Sequence, residues 1–123
     1  MIRSMPTISE RNKERVQFFV DAVWNEGRLE LIDDLVATDF MEHLSCLNTA
    51  VLGPDGVRKL VSSRRSIQPD LYIKIDDEIA EHDLVAVRWR ATECSGISVV
   101  RLLAGKLVDS YTTVWPTASG VAA

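Results

Sequence analysis

One short stretch divides this chain into two kinds of sequence, and it constrains the fold more than any composition figure. Before Gln68-Pro69-Asp70 the apolar residues recur at helical spacing; after it they alternate with polar residues, the two-residue period of strands. Val16, Phe19, Val20 and Val23 form an i, i+3, i+4, i+7 stripe, widened by Phe18 and Trp24, and Thr7-Ile8-Ser9-Glu10 has the form of a capping box in front of it. Asn25-Glu26-Gly27 stops that helix, because a glycine after the last turn accepts the left-handed conformation. Leu31, Ile32, Leu35 and Val36 give the buried face of a short second helix that ends at Thr38-Asp39. Phe40 to Leu44 reads as a brief extended segment around Met41 and His43, and residues 45–53 as a loop. Gly53-Pro54-Asp55 opens a third helix, with Val57, Leu60 and Val61 as its apolar face.

Beyond the switch, Leu71, Ile73 and Ile75 alternate with Tyr72, Lys74 and Asp76. Glu81-His82-Asp83 turns the chain into a strand with Val85, Val87, Trp89 and Ala91 on one face and Leu84, Ala86, Arg88, Arg90 and Thr92 on the other. Ser95-Gly96 breaks it, Ile97 to Leu103 is the next strand, and Ala104-Gly105-Lys106 turns into Leu107 to Trp115. Three helices followed by four tightly connected strands predict an α+β fold, with the helices packed on one face of a curved antiparallel sheet. The 123 residues suit one domain, with a core of about 8–115 and a loose tail over 116–123.

Composition removes several classes of function. A net charge of −4, from 14 basic and 18 acidic residues, supplies no field that favours nucleic acid or an anionic membrane. Arg58, Lys59, Arg64 and Arg65 cluster, but at the spacing of an exposed helix face, and no aromatic residues interleave with them as a nucleic-acid platform would need. No run of 18 apolar residues and no apolar leader in Met1 to Arg11 occurs, so a cytoplasmic protein is expected. Cys46 and Cys94 then read as two reduced thiols, with a disulfide between them left open. No metal site is expected from two separated histidines and scattered carboxylates. A nucleophile elbow, a phosphate loop and a dinucleotide fingerprint are all missing.

Six local patterns then line up in order: Trp24-Asn25-Glu26-Gly27, Asp39-Phe40-x-x-His43, Gly53-Pro54-x-Gly56-Val57, Pro69-Asp70-Leu71, Asp83-Leu84-Val85-Ala86-Val87-Arg88-Trp89 and Gly105-Lys106-Leu107-Val108-Asp109. Over about residues 12–115 the chain resembles the SnoaL-like polyketide cyclases and the wider nuclear transport factor 2-like group. The resemblance implies a cone-shaped α+β barrel whose concave face forms a pocket, and in some members cofactor-free acid–base chemistry on a small apolar carbonyl compound by cyclisation, isomerisation or hydration. Other members are non-catalytic binding or dimerisation modules, so the fold alone leaves both readings open. Two stretches depart from the pattern. Only Glu93-Cys94-Ser95-Gly96 separates Thr92 from Ile97 where relatives carry a longer hairpin, and the last strand ends in Thr112-Thr113-Val114-Trp115 where cyclases often place a carboxylate.

Acid–base work without a cofactor needs titratable groups converging in a dry site. His82 sits in an acidic turn and reads as exposed. His43 flanks apolar residues and matches the family's pocket histidine; the alternative is a core histidine held by a carbonyl or carboxylate. Asp109 shares parity with Tyr111, Thr113 and Trp115, a face that the resemblance turns toward the pocket; the alternative is a strand-start aspartate facing water. His43 and Asp109 are therefore the expected catalytic pair. Phe19, Trp24, Trp89, Tyr111 and Trp115 are the expected substrate contacts, with plain core packing as the alternative for each. Arg88 and Arg90 point away from Trp89, or Arg88 reaches a pocket carboxylate as in epoxide-hydrolase-like relatives. A homodimer through the exposed sheet face is expected, on the apolar area of Leu84, Ala86 and Thr92.

Overall fold

In the computed structural model, which describes residues 5–45 and 48–117, Thr7 caps the first helix as the sequence predicts. Its Oγ1 accepts the Glu10 N–H at 3.1 Å and donates back to the Glu10 carboxylate at 3.1 Å. Helix α1 (Ile8–Phe18) runs directly into a π-helical stretch, Phe19–Asn25, where the wider turn carries the chain to Gly27 at φ +71°. Val16, Phe19 and Val23 are buried as the stripe requires, whereas Phe18 stays exposed. A 3-10 turn (Leu29–Leu31) leads into the four-residue α2 (Ile32–Leu35), and α3 spans Gly53–Ile67 with its proline in the first turn.

Six strands follow or interleave: β1 (Val36–Leu44), β2 (Val51–Leu52), β3 (Lys74–Glu81), β4 (Leu84–Arg90), β5 (Cys94–Leu103) and β6 (Lys106–Pro116). They form one sheet in the order β2-β1-β6-β5-β4-β3. Every neighbouring pair is antiparallel except β1 and β6, which run parallel, so the brief extended segment of the sequence becomes a full strand beside the last one. Register shifts interrupt β1 between Val36 and Met41, β3 between Ile75 and Asp77, and the β5–β6 pair at Arg101/Leu102. Bulges of this kind bend and twist a strand, which lets a sheet wrap a helix instead of lying flat under it.

Polar side chains tie the helical layer to the sheet. Asn12 Nδ2 donates to the His82 carbonyl at 2.7 Å, Ser9 Oγ accepts the His82 N–H at 2.9 Å, and Arg15 Nε donates to the Gly105 carbonyl at 2.9 Å. One helix thus holds the tips of both the β3–β4 and the β5–β6 hairpins. The second tip, Ala104-Gly105, has φ of +51° and +80°, the two-residue turn whose twist matches its strands. At the other end of the helix, Asn25 takes the place of a strand: its Oδ1 accepts the Ile73 N–H at 2.7 Å and its Nδ2 donates to the Ile73 carbonyl at 2.9 Å. Residues 71–73 therefore keep the alternation read from the sequence but bond to a side chain, and the strand proper begins only at Lys74. Arg65, expected on a solvated face, turns inward and donates to the Trp24 and Asn25 carbonyls at 2.8 and 2.9 Å.

The break expected at Ser95-Gly96 falls earlier. The turn is Ala91 to Glu93, closed by the Ala91 N–H on the Cys94 carbonyl at 2.7 Å, and Gly96 lies within β5 opposite Trp89. Cys46 and residues 118–123, on which the thiol pairing and the loose tail rest, lie outside the described residues.

Candidate active site

The inward residues of the helices and of the wrapped sheet do not meet in the middle. They leave a cavity of about 490 Å3, bounded by Val16, Phe19, Val20 and Trp24 from α1 and its π-helical end and by Val57, Leu60 and Arg64 from α3. The sheet contributes Phe40, Glu42 and Leu44 from β1, Val87 and Trp89 from β4, Ser98 and Val100 from β5, and Leu107, Ser110, Thr112 and Val114 from β6. Trp115, Pro116, Glu93 and Cys94 stand at the end where the expected hairpin is short. The volume lies within the usual range for small-molecule sites. With the hairpin this short, a cavity of that size remains.

Among the described residues, Glu42 is the carboxyl set in the apolar middle of the cavity; Glu93 stands at the hairpin end, and Glu78 of β3, whose Oε2 is buried and whose pKa burial raises, lies outside the lining. In β1, Phe40, Glu42 and Leu44 share the inward parity, so the pleat delivers the acid among hydrocarbon. Desolvation raises its pKa from 4.5 to about 6, against the lowering effect of the Ser110 and Thr112 hydroxyls. Thr112 Oγ1 donates to Glu42 Oε2 at 3.1 Å. Behind it Ser98 Oγ lies 2.7 Å from Thr112 Oγ1, and Trp89 Nε1 donates to Ser98 Oγ at 3.1 Å. Ser110 differs from these. Its hydroxyl is buried beside the same carboxyl, near enough to ease its ionisation, but falls short of hydrogen-bond geometry with any group. Among the described residues Ser110 Oγ is thus a buried hydroxyl outside hydrogen-bond geometry.

The expected catalytic pair lies elsewhere. His43 follows Glu42 on the strand and so points to the outer face, where its ring stacks on Tyr111 at 4.3 Å between centroids. Asp109 also faces outward, 3.7 Å from Arg101. Its parity with Tyr111 holds, but the face they share is the outer one: Ser110 and Thr112 turn inward, and the extra residue at Val108 lets Leu107 be buried as well while Asp109 is turned away. Tyr111 shares that outer face and is 59% exposed, which removes it from the expected cavity contacts. Phe19, Trp24, Trp89 and Trp115 do line the cavity. Arg88 pairs with Asp77 on the outer face and reaches no cavity carboxylate.

Glu42 was legible in principle, since an acid at the apolar parity of Phe40-x-Glu42-x-Leu44 is the mark of a buried carboxyl. The hydroxyls of Ser98, Ser110 and Thr112 carried no comparable mark, because their meeting depends on pairing across three strands. Among the described residues no group of three or more histidine, cysteine or acidic side chains is placed to hold a metal ion. Nor, among them, is any helix long and apolar enough to cross a membrane.

A six-stranded sheet wrapped round a helix, with an apolar cavity and Glu42 on its wall, has the α+β pocket fold of the nuclear transport factor 2-like type. The chain belongs to the SnoaL-like polyketide cyclase family, whose model matches residues 14–109. Among solved structures it is similar to a candidate polyketide cyclase from Acidithiobacillus ferrooxidans, at 23% identity and a TM-score of 0.75 over 89% of this chain and 91% of that one. It is also similar to IdmH, a candidate polyketide cyclase from Streptomyces antibioticus, at 20% identity and a TM-score of 0.72 over 84% and 91%. A candidate ketosteroid isomerase from Kribbella flavida matches at 16% identity and a TM-score of 0.76 over 95% and 91%. At these identities the likeness establishes the fold. No curated protein matches the chain.

Proposed function

We propose that this protein catalyses proton transfer on a small, mostly apolar carbonyl compound, as a cyclase or isomerase of its family, with Glu42 as the base. The observation that carries this reading is one carboxyl on the wall of an apolar cavity, its pKa lifted to about 6 by burial. Such a group is ionised at neutral pH yet poorly solvated, which suits it to abstract a proton from carbon next to a carbonyl. The substrate oxygen, where negative charge would gather, has a donor waiting in the unpartnered Ser110 hydroxyl. The protein as it stands can be tested with 5-nitrobenzisoxazole, a flat apolar carbon acid. Loss of its C3 proton to a base breaks the N–O bond and releases a coloured cyanophenolate. Turnover should rise with pH through a midpoint near 6, and Glu42→Gln should lower it by about 100-fold or more. Turnover that survives Glu42→Gln would overturn the assignment.

The reading also includes a homodimer, supported by a different observation. On the outer face His43, Tyr111, Val99, Ala86 and Ile79 stand in register across β1, β6, β5, β4 and β3, a continuous row without a charge. Tyr111, Val99 and Ile79 are exposed in it. A row of that kind can pair with its own copy about a two-fold axis. Cavity chemistry and dimerisation occupy opposite faces of the sheet, so either can stand without the other.

A further inference from the structure

The bonds behind Glu42 have a direction, and its origin is Trp89. An indole N–H can only donate, whereas each hydroxyl can both give and receive. Ser98 Oγ receives from Trp89 at 3.1 Å, and its own proton has one oxygen to go to, Thr112 Oγ1 at 2.7 Å. Thr112 then gives its proton to Glu42 Oε2 at 3.1 Å. The reverse order would leave the Ser98 proton without an acceptor and set a lone pair of Thr112 against the carboxylate.

Trp89 is itself held in place by an absence. It pairs with Gly96 across β4 and β5, and a Cβ on Gly96 would lie 2.3 Å from Trp89 Cζ2 and 2.9 Å from the Thr113 carbonyl. The glycine lets the indole lie flat on the strand with Nε1 over Ser98. This accounts for a glycine in mid-strand, where its flexibility would otherwise weaken the sheet.

We propose that Trp89, seated on Gly96, is a positioning residue that aligns the hydroxyls of Ser98 and Thr112 so that Glu42 always meets a donor at Oε2 and exchanges its proton at Oε1. This rests on Glu42 being the working carboxyl, but the alignment itself is read without any turnover. Aligned hydroxyls polarise one another, so a donor two bonds away still favours the carboxylate over the acid. The other ionisable groups bordering the cavity are Arg64 from α3, Glu93 from the β4–β5 turn and Cys94 from the start of β5. The wire variants leave all three unchanged.

The test is a pH titration of the Glu42 side-chain carboxyl by 13C NMR, identified as the resonance missing from Glu42→Gln. Thr112→Val should raise its midpoint most, from about 6 toward 7, with Thr112→Ser restoring the wild-type value. Ser98→Ala and Trp89→Phe, which keep the fold's bulk, should each raise it by about half a unit or less in that order, and Gly96→Ala should do so by displacing the indole. A midpoint moved by Thr112→Val but unmoved by both Ser98→Ala and Trp89→Phe would overturn the proposal, leaving Thr112 as a lone donor. Raised midpoints in a protein inactive on 5-nitrobenzisoxazole would uphold the alignment and count against the catalytic reading alone.

Discussion

At the scale of single residues, burial of Glu42 makes this protein's stability depend on pH in an unusual sense. A carboxyl whose pKa is raised on folding binds its proton more tightly in the folded chain than in the unfolded one. Its contribution is therefore fully present below about 4.5 and is lost as pH rises through about 6. A displacement from 4.5 to about 6 corresponds to about 2 kcal/mol between the two limits. Glu42→Gln keeps the shape and an oxygen for Thr112 but has no charge to bury. Relative to wild type it should gain up to about 2 kcal/mol between pH 4 and pH 8 in urea unfolding, with the change confined to the interval around 4.5–6. A difference that stays flat across that range would mean the carboxyl is solvated in the folded chain. The same residue shows what the sequence conceals at this scale. Apolar neighbours drew attention to His43, yet a pleat gives adjacent residues opposite faces, and the neighbour of an outward histidine is an inward glutamate.

At the scale of elements, periodicity is enough to find three helical segments and the strands β3 to β6, but not the start of β1 at Val36, where the sequence predicts the second helix running on to Thr38-Asp39, nor the two-residue β2. It could not find where strands slip. The extra residue of β6 separates Leu107 from Asp109 although they share a parity, and no residue type near Val108 announces it. Gly96 misled in the opposite way, since a glycine that makes room for an indole reads as a glycine that makes a turn. The motif Trp24-Asn25-Glu26-Gly27 had a meaning beyond a helix stop. Asn25 bonds both backbone groups of Ile73 and so fastens the helix end to the entry of β3. Asn25→Ala should destabilise the chain by about 1–3 kcal/mol, since two partly buried backbone groups lose their partner together. The Ile73 amide should show the largest rise in hydrogen exchange. Loss of protection spread evenly over the sheet would show that Asn25 supports the fold generally and not this junction.

At the scale of the whole molecule, the two faces of the sheet divide the work proposed for the protein; the six ordered motifs imply the overall shape but not the face on which each site residue stands. The dimer proposed on the outer face is checked by sedimentation. Wild type should sediment as a dimer, and Val99→Glu, which plants a charge at the centre of the apolar row, should shift it to monomer with Glu42 titrating as before. A wild-type monomer would refute it. The arginines of β4 and β5 on that face are already matched within one chain: Arg88 with Asp77, Arg90 with Asp76, and Arg101 with both Asp83 and Asp109. A surface neutralised internally casts little field beyond a Debye length and cannot steer an approaching copy. Two chains meeting there would find each other by unguided collision, at the roughly 10⁵–10⁶ M⁻¹s⁻¹ of uncharged encounters, and added salt would leave that rate almost untouched.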